Sequence, residues 1–225
     1  MLFYYQKIEM KISIITVSYN SENTLSNTIE SVLSQGFSDI EYIIVDGCSK
    51  DGTTAIIKSA ESSFNGRMKW VSEPDKGLYD AMNKGIKMAT GDVIGILNSD
   101  DLFYDSNVLR DIALAFDENT DALFGNLYFV KSDDVHCIVR AWKGSTYSSF
   151  KKGWHPAHPT FYVRREVYER YGGFDTSFDV SADFELMLRF IEKNRIRTKS
   201  WTSINRTFEK SIKLRESQKA FKSSI

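Results

Sequence analysis

The chain has 225 residues, 42% of them hydrophobic, and its acids and bases nearly cancel to a formal net charge of −1. That length suits one domain with a sizeable core, or one domain with a small appendage, and the charge balance excludes a nucleic-acid binder relying on a global basic excess. Cys48 and Cys137 form no CxxC pair and read as ordinary thiols of a reducing compartment, not as a disulfide frame or a zinc site.

The N-terminal "MLFYYQKIEMKISII" opens on a short greasy patch that lacks the basic start and long apolar region of a signal peptide. Met10, just ahead of the periodic sequence, stands beside Met1 as a candidate start. No apolar run approaches the ~20 residues that span a bilayer, so a cytoplasmic protein is expected. Strand-like runs open at Ile12 ("ISIITVS"), Ile40 ("IEYIIVD"), Met68 ("MKWVSE") and Asp92 ("DVIGILN"), 28, 28 and 24 residues apart, close to the roughly 30-residue βαβ repeat. The first, second and fourth are continuous apolar runs, as parallel strands covered on both faces require. Leu25, Ile29, Val32 and Leu33 form a helical stripe, with Ser21 as its N-cap and Gly36 as its stop. "TTAIIKSAESSF" is a second helix, ending at Asn65-Gly66. "GLYDAMNKGIKMA" is a third, with Leu78, Met82, Ile86 and Ala89 on one face, and a further helix is expected over about Asn107 to Asp117. The pattern predicts an α/β fold built on a mostly parallel, doubly wound sheet. After Leu123 the rhythm changes. "ALFGNLYFV" and "VHCIVRAW" read as a hairpin, "FYV" as an added antiparallel strand, and "RREVYERY" and Ala182 to Lys193 as helices.

In an open α/β sheet, ligands sit beyond the carboxyl ends of the strands. Here those ends read "SYN", "DGCSKDGT", "EPDKG" and "NSDD", three of them with Asp. A single Asp at a loop start is a common turn former or helix cap, but acids on three successive strand ends gather carboxylates along one edge, which capping alone explains poorly. Neither GxGxxG nor GxxxxGK[ST] is present. A bound nucleotide would need another device to neutralise its phosphates, such as a divalent cation held by carboxylates.

The ordered set "ITVSYN", "IIVDGCSKDGT", "EPDKGLYDAMNKGIKMATGD", "ILNSDD", "HPTFYVRREVYERYGGFD" and "SADFELMLRF" resembles glycosyltransferase family 2, with its GT-A fold. The likeness spans about Lys11 to Ile191. It implies an inverting transfer of sugar from a nucleoside-diphosphate sugar, UDP-type favoured, to a hydroxyl of a saccharide or lipid-linked saccharide, in bacterial surface polysaccharide or glycan biosynthesis. It also implies a single domain over 11–195, with a nucleotide-sugar half (11–105), an acceptor half (106–195) and a basic tail at 196–225.

By the same resemblance, Ser18 and Tyr19 lie beside base and ribose, and Asp46 accepts a hydrogen bond from the base. Asp75 sits in the loop closing over it, and Lys76 faces the phosphates. "LNSDD" matches a pattern in which Asp100 binds Mn²⁺ or Mg²⁺, while Asn98 and Ser99 fall in the donor site. Asn98 stands where the family has Asp. Its amide oxygen can still accept a ribose hydroxyl, so Asn98→Asp is expected to keep or improve donor binding. Asp101 or Asp105 remains available to cap the following helix. His158 is a second candidate metal ligand, whereas His155 and Trp154 carry weaker claims and His136 none. Asp183, in the first turn of a helix with Ser181 as N-cap, is the candidate base. A sugar-phosphate nucleotidyltransferase would want a glycine-rich basic loop after the first strand, and "SYNSENT" offers none. A non-catalytic nucleotide-sugar-binding relative is the other alternative.

Lys193 to Ile225 holds ten Lys and Arg against two Glu, or +8, leaving −9 on the rest. "FEKSIKLRESQKAF" places Phe208, Ile212, Arg215 and Lys219 at helical spacing. This suggests either a basic helix in peripheral contact with the inner face of an anionic membrane or a frayed, soluble C-terminus.

Overall fold

A computed structural model describes residues 10–131, 134–144, 148–200 and 209–214. Three βα repeats and a fourth strand lay down the first half. They are β1 (Ile12–Ser18), α1 (Leu25–Leu33), β2 (Ile40–Asp46), α2 (Thr53–Glu61), β3 (Met68–Ser72), α3 (Leu78–Met88) and β4 (Val93–Ile96). Then come β5 (Asp101–Leu102), α4 (Val108–Ala115), β6 (Ala122–Phe124), the hairpin β7 (Asn126–Val130) and β8 (Ile138–Trp142), β9 (Tyr162–Arg164), α5 (Arg165–Tyr171), α6 (Ala182–Met187), β10 (Thr198–Ser200) and β11 (Glu209–Leu214).

The main sheet has the order β10-β6-β9-β4-β1-β2-β3. Its strands are parallel except β9, which runs against both β4 and β6. Every residue of β1 and β2 is buried, as continuous apolar strands demand. Alternate residues feed two cores. Ile12, Ile14, Tyr42 and Ile44 pack with α1, α2 and α4, while Ile15, Val17, Ile43 and Val45 pack with α3, α5 and α6. A second sheet, β5-β11-β7-β8, stands beside the first. The run "ALFGNLYFV", which reads as one strand, divides at Gly125, with β6 joining the main sheet and β7 the second.

Several local expectations are corrected. Ser21 does not cap α1 with its side chain. The helix begins at Leu25, and the Ser21 hydroxyl turns to Tyr19 O and Ser99 Oγ. Ser181 occupies the N-cap position of α6 with φ of 70° and no capping side-chain bond. Of the face expected for α3, Met82 and Ala89 are buried and Ile86 packs against the core, but Leu78 is 52% exposed, and Ala81 and Gly85 are buried beside them. The last helix changes to a π-helical turn over Leu188–Lys193. The helix expected in the tail meets a strand. Glu209–Leu214 pairs parallel with β7 and antiparallel with β5, and the apolar Ile212 and Leu214, two apart, suit a strand's period. Phe208, Arg215 and Lys219 lie outside the described residues. No helix among the described residues is long and apolar enough to cross a membrane.

Candidate active site

The loops after β1 and β2 are knitted together before either meets a ligand. Asn20, held at φ of 50°, donates its N–H to Ser49 Oγ (2.8 Å) and accepts Lys50 N–H at Oδ1 (2.9 Å). Ser21 N–H reaches Thr53 Oγ1 (2.7 Å), and Gly52 N–H reaches Glu22 Oε2 (2.7 Å). Beneath them Asp46 is fully buried. Its carboxylate accepts from Ser18 Oγ (3.3 Å), Ser49 N–H (3.0 Å), Ser72 Oγ (2.6 Å) and Ser49 Oγ. Four donors replace the water lost on burial.

Gly47 is a glycine for a local reason, since a Cβ there would stand 2.5 Å from Asp75 Oδ2. Asp75 in turn accepts Gly77 N–H (2.9 Å), which shapes the loop into α3. Lys76 uses its backbone N–H on Asp80 Oδ2 (3.0 Å). After β4, the two neighbouring acids part company. Asp101 is fully buried, receives Asn98 Nδ2–H at 2.7 Å and donates its N–H to Asn98 O at 3.0 Å. Asp100 faces the cavity. Ser99 Oγ lies 3.0 Å from Ser21 Oγ, tying this turn to the β1 loop. The N-cap of α4 is Asn107, with no capping side-chain bond; Asp105 accepts its N–H at 2.8 Å in the turn ahead, so neither Asp101 nor Asp105 is the cap.

These segments enclose an open cavity of about 960 Å³. Ser18, Tyr19, Asp75, Asn98, Ser99, Asp100, His158 and Asp183 line it, brought from five separate stretches of chain. Two expected residues do not. Asp46 lies beneath, enclosed by its serines, and Lys76 is not part of the lining. His158 opens a 3-10 turn (His158–Thr160), and its ring meets Phe174 edge-on at 5.6 Å. His155 is packed between Trp142 and Phe184, and Trp154 against Phe124 and Phe150. Both are packing residues.

One residue of the site escaped the sequence reading. Tyr79, in the first turn of α3, lines the cavity and donates its hydroxyl to Asp183 Oδ1 at 3.2 Å. Burial first, then the Asp183 charge, pushes its hydroxyl above the ordinary phenol range. The available signal was a polar aromatic just after the "EPDKG" loop. Among the described residues, no three His, Cys, Asp or Glu side chains gather as a metal cage.

The family described as Glycosyl transferase family 2 matches residues 13–191. The chain belongs to glycosyltransferase family 2. An uncharacterized glycosyltransferase of Mycobacterium tuberculosis is 32% identical over 188 residues, covering 79% of this chain and 68% of its own. A PGL/p-HBAD biosynthesis glycosyltransferase of Mycobacterium bovis is 28% identical over 182 residues with the same coverage. Among solved structures, S. aureus TarS 1-349 in complex with UDP-GlcNAc superposes with a TM-score of 0.70 at 21% identity, over 96% of this chain and 62% of that one. Mannosyltransferase PcManGT from Pyrobaculum calidifontis, in complex with GDP-Man and Mn²⁺, gives 0.65 at 20%, over 88% and 59%. The glycosyltransferase family 2 chain therefore has the GT-A fold and spans about 60% of the length of these structural neighbours.

Proposed function

We propose that this family 2 chain is an inverting, metal-dependent transferase moving a sugar from a nucleoside-diphosphate sugar, UDP-type favoured, to a hydroxyl of a saccharide or lipid-linked acceptor in bacterial glycan biosynthesis. The observation that carries the proposal is the convergence on one cavity of a candidate metal carboxylate, Asp100, and a candidate base, Asp183. Tyr19 and Ser18 would flank the base and ribose, and Asp75 would close the loop over them. Asp46 would act through the Ser18 and Ser49 hydroxyls it holds, and Lys76 would swing toward the phosphates.

The donor set fits a hard divalent cation. One carboxylate and one imidazole are too few for a closed protein cage, which suits an ion that takes its remaining ligands from a diphosphate and water. Asp100 and His158 would hold Mn²⁺ or Mg²⁺, whose chemistry when bound is to neutralise charge on the departing diphosphate. Asp183 would accept the acceptor hydroxyl's proton as that oxygen attacks from the face opposite the leaving group. That TarS 1-349 is solved with UDP and with UDP-GlcNAc, and PcManGT with GDP-Man, supports a nucleotide-sugar donor. A location at the inner face of the membrane follows if the acceptor is lipid-linked.

The test is nucleoside diphosphate release from UDP-N-acetylglucosamine or GDP-mannose with Mn²⁺, stopped by EDTA. Asp100→Ala should abolish release and remove the Mn²⁺-dependent thermal shift given by UDP. Asp183→Asn should lower turnover by roughly 10²-fold or more with donor affinity kept. Full metal-dependent activity in Asp100→Ala overturns the metal assignment. NMR showing a product that retains the donor's anomeric configuration overturns inversion. UDP binding without any release, from the parent protein, would favour the non-catalytic relative.

A further inference from the structure

The hydrogen bond to Asp183 is one link in a closed circuit of contacts between α3 and α6. One helical turn beyond Tyr79, Asn83 grips the backbone of Phe174 from both sides. Its Nδ2 donates to Phe174 O, and its Oδ1 accepts Phe174 N–H, each at 2.8 Å. The Phe174 ring lies against Tyr79, with centroids 5.4 Å apart and planes inclined by 25°. Just ahead, Arg189 donates to Tyr171 O and to Gly173 O (2.6 Å), and it pairs in a fork with Glu185. Gly173 admits no side chain, because a Cβ would collide with the Asn83 amide. Glu185 and Asp183 share the first turn of α6. The contacts thus leave α6 through Glu185 and its partner Arg189, cross the Tyr171–Phe174 loop to α3, and return through Tyr79 to the Asp183 carboxylate of α6.

We propose that Tyr79 is the positioning residue for Asp183: its hydroxyl, braced by the Phe174 stack, holds Oδ1 so that Oδ2 is presented to the acceptor hydroxyl. This rests on the reading of Asp183 as the base. An aspartate can turn about χ1 and χ2, and a base is effective only when its oxygen stands within hydrogen-bond reach of the proton it takes. A second donor fixed by its own packing removes that freedom. The phenol is suited to the task, since it stays protonated far above neutral pH and donates throughout the working range. Tyr79 bonds Asp183 directly, and the other titratable groups nearby come from different places. Asp75, Asp100 and His158 line the same cavity from other segments, and Glu185 on its own helix is matched by Arg189.

Tyr79→Phe keeps the ring and its stack while removing the hydroxyl. With UDP release from UDP-N-acetylglucosamine in Mn²⁺ as the readout, kcat should fall about 10-fold, the effect of losing one hydrogen bond to a charged group. The donor KM and the melting temperature should stay near the parent's. In an Asp183→Asn background, the same substitution should cause no further loss. An unchanged kcat in Tyr79→Phe, beside an Asp183→Asn variant that has lost turnover, overturns the positioning role and leaves the base reading standing. A further 10-fold loss in the Asp183→Asn background also overturns it, by showing that Tyr79 acts elsewhere. Full turnover in Asp183→Asn removes the base itself, and the proposal falls with it.

Discussion

Asn98 and Asp101 are three positions apart, yet only the folded chain shows what they do to each other. The amide of Asn98 donates to a carboxylate that is fully buried, at 2.7 Å. Aspartate at 98 would set two carboxylates against one another at that spacing, and one must then hold a proton or swing away. The expectation for Asn98→Asp concerns donor binding; for the fold itself, the substitution removes this donor. The variant should lose about 1–3 kcal/mol at neutral pH, the cost of a buried polar group deprived of its partner. The sign with pH is fixed by the same contact. A carboxyl whose folded-state pKa is raised destabilises above that pKa and ceases to do so below the unfolded value, so the deficit should shrink on acidification. Denaturant melts at pH 7 and pH 4 check this, and equal stability of variant and parent at both would refute the Asn98–Asp101 pairing. The cluster of acids at this strand end was legible as a site. Which acid turns outward was not, because the turn geometry decides it.

At the scale of the element, β2 was easy to read and the charged residue near its start was not. "IEYIIVD" is a buried strand with Glu41 near its start, 2% exposed. The carboxylate accepts from Ser13 Oγ (2.7 Å), Lys69 Nζ (2.7 Å), Thr90 N–H (2.7 Å) and Thr90 Oγ1 (2.9 Å), pinning β1, β3 and the turn before β4 to β2. Burial alone would push this carboxyl up, but Lys69, Thr90 and Ser13 together outweigh burial and bring it from 4.5 to about 2. The partners come from three distant segments, and no local pattern in the sequence joins them. A depressed folded-state pKa contributes stability that is present above the unfolded value and lost as pH falls through the folded one. Glu41→Gln should therefore lower stability by roughly 1.5–3 kcal/mol at pH 7, the range for hydrogen bonds to charged groups. It should also flatten the parent's loss of stability between about pH 4.5 and pH 2. Urea titrations of both proteins across that window are the check, and parallel pH curves would show that Glu41 is not the group responsible.

Over the whole molecule, the C-terminal residues are where charge and fold disagree about purpose. Their +8 invited a membrane surface, but Arg197 is paired with Asp121 (2.6 Å) and Lys199 with Asp117 (3.3 Å), so part of that excess is matched within the domain. β10 then extends the main sheet beside β6. β11 lies between β7 and β5, and β5 begins at Asp101, next to the candidate metal ligand. Pairings between strands so distant in sequence leave no periodic trace, which is why the parallel half of the fold could be read from the chain and this closure could not. Ending the chain after Ser200 separates the two roles. If β11 supports the turn that carries Asp100, the truncated protein should melt at a lower temperature and lose most of the thermal shift given by UDP with Mn²⁺. Retention of the full shift would mean that the closing strand does not serve the site. The same pair of proteins tests the membrane. Each remaining Lys or Arg near an anionic surface contributes about 1 kcal/mol at most. The parent should therefore co-sediment with anionic vesicles at low salt and release as salt rises, and the truncated chain should not bind. Equal binding by both, or binding to neutral vesicles, would place any membrane contact elsewhere on the domain.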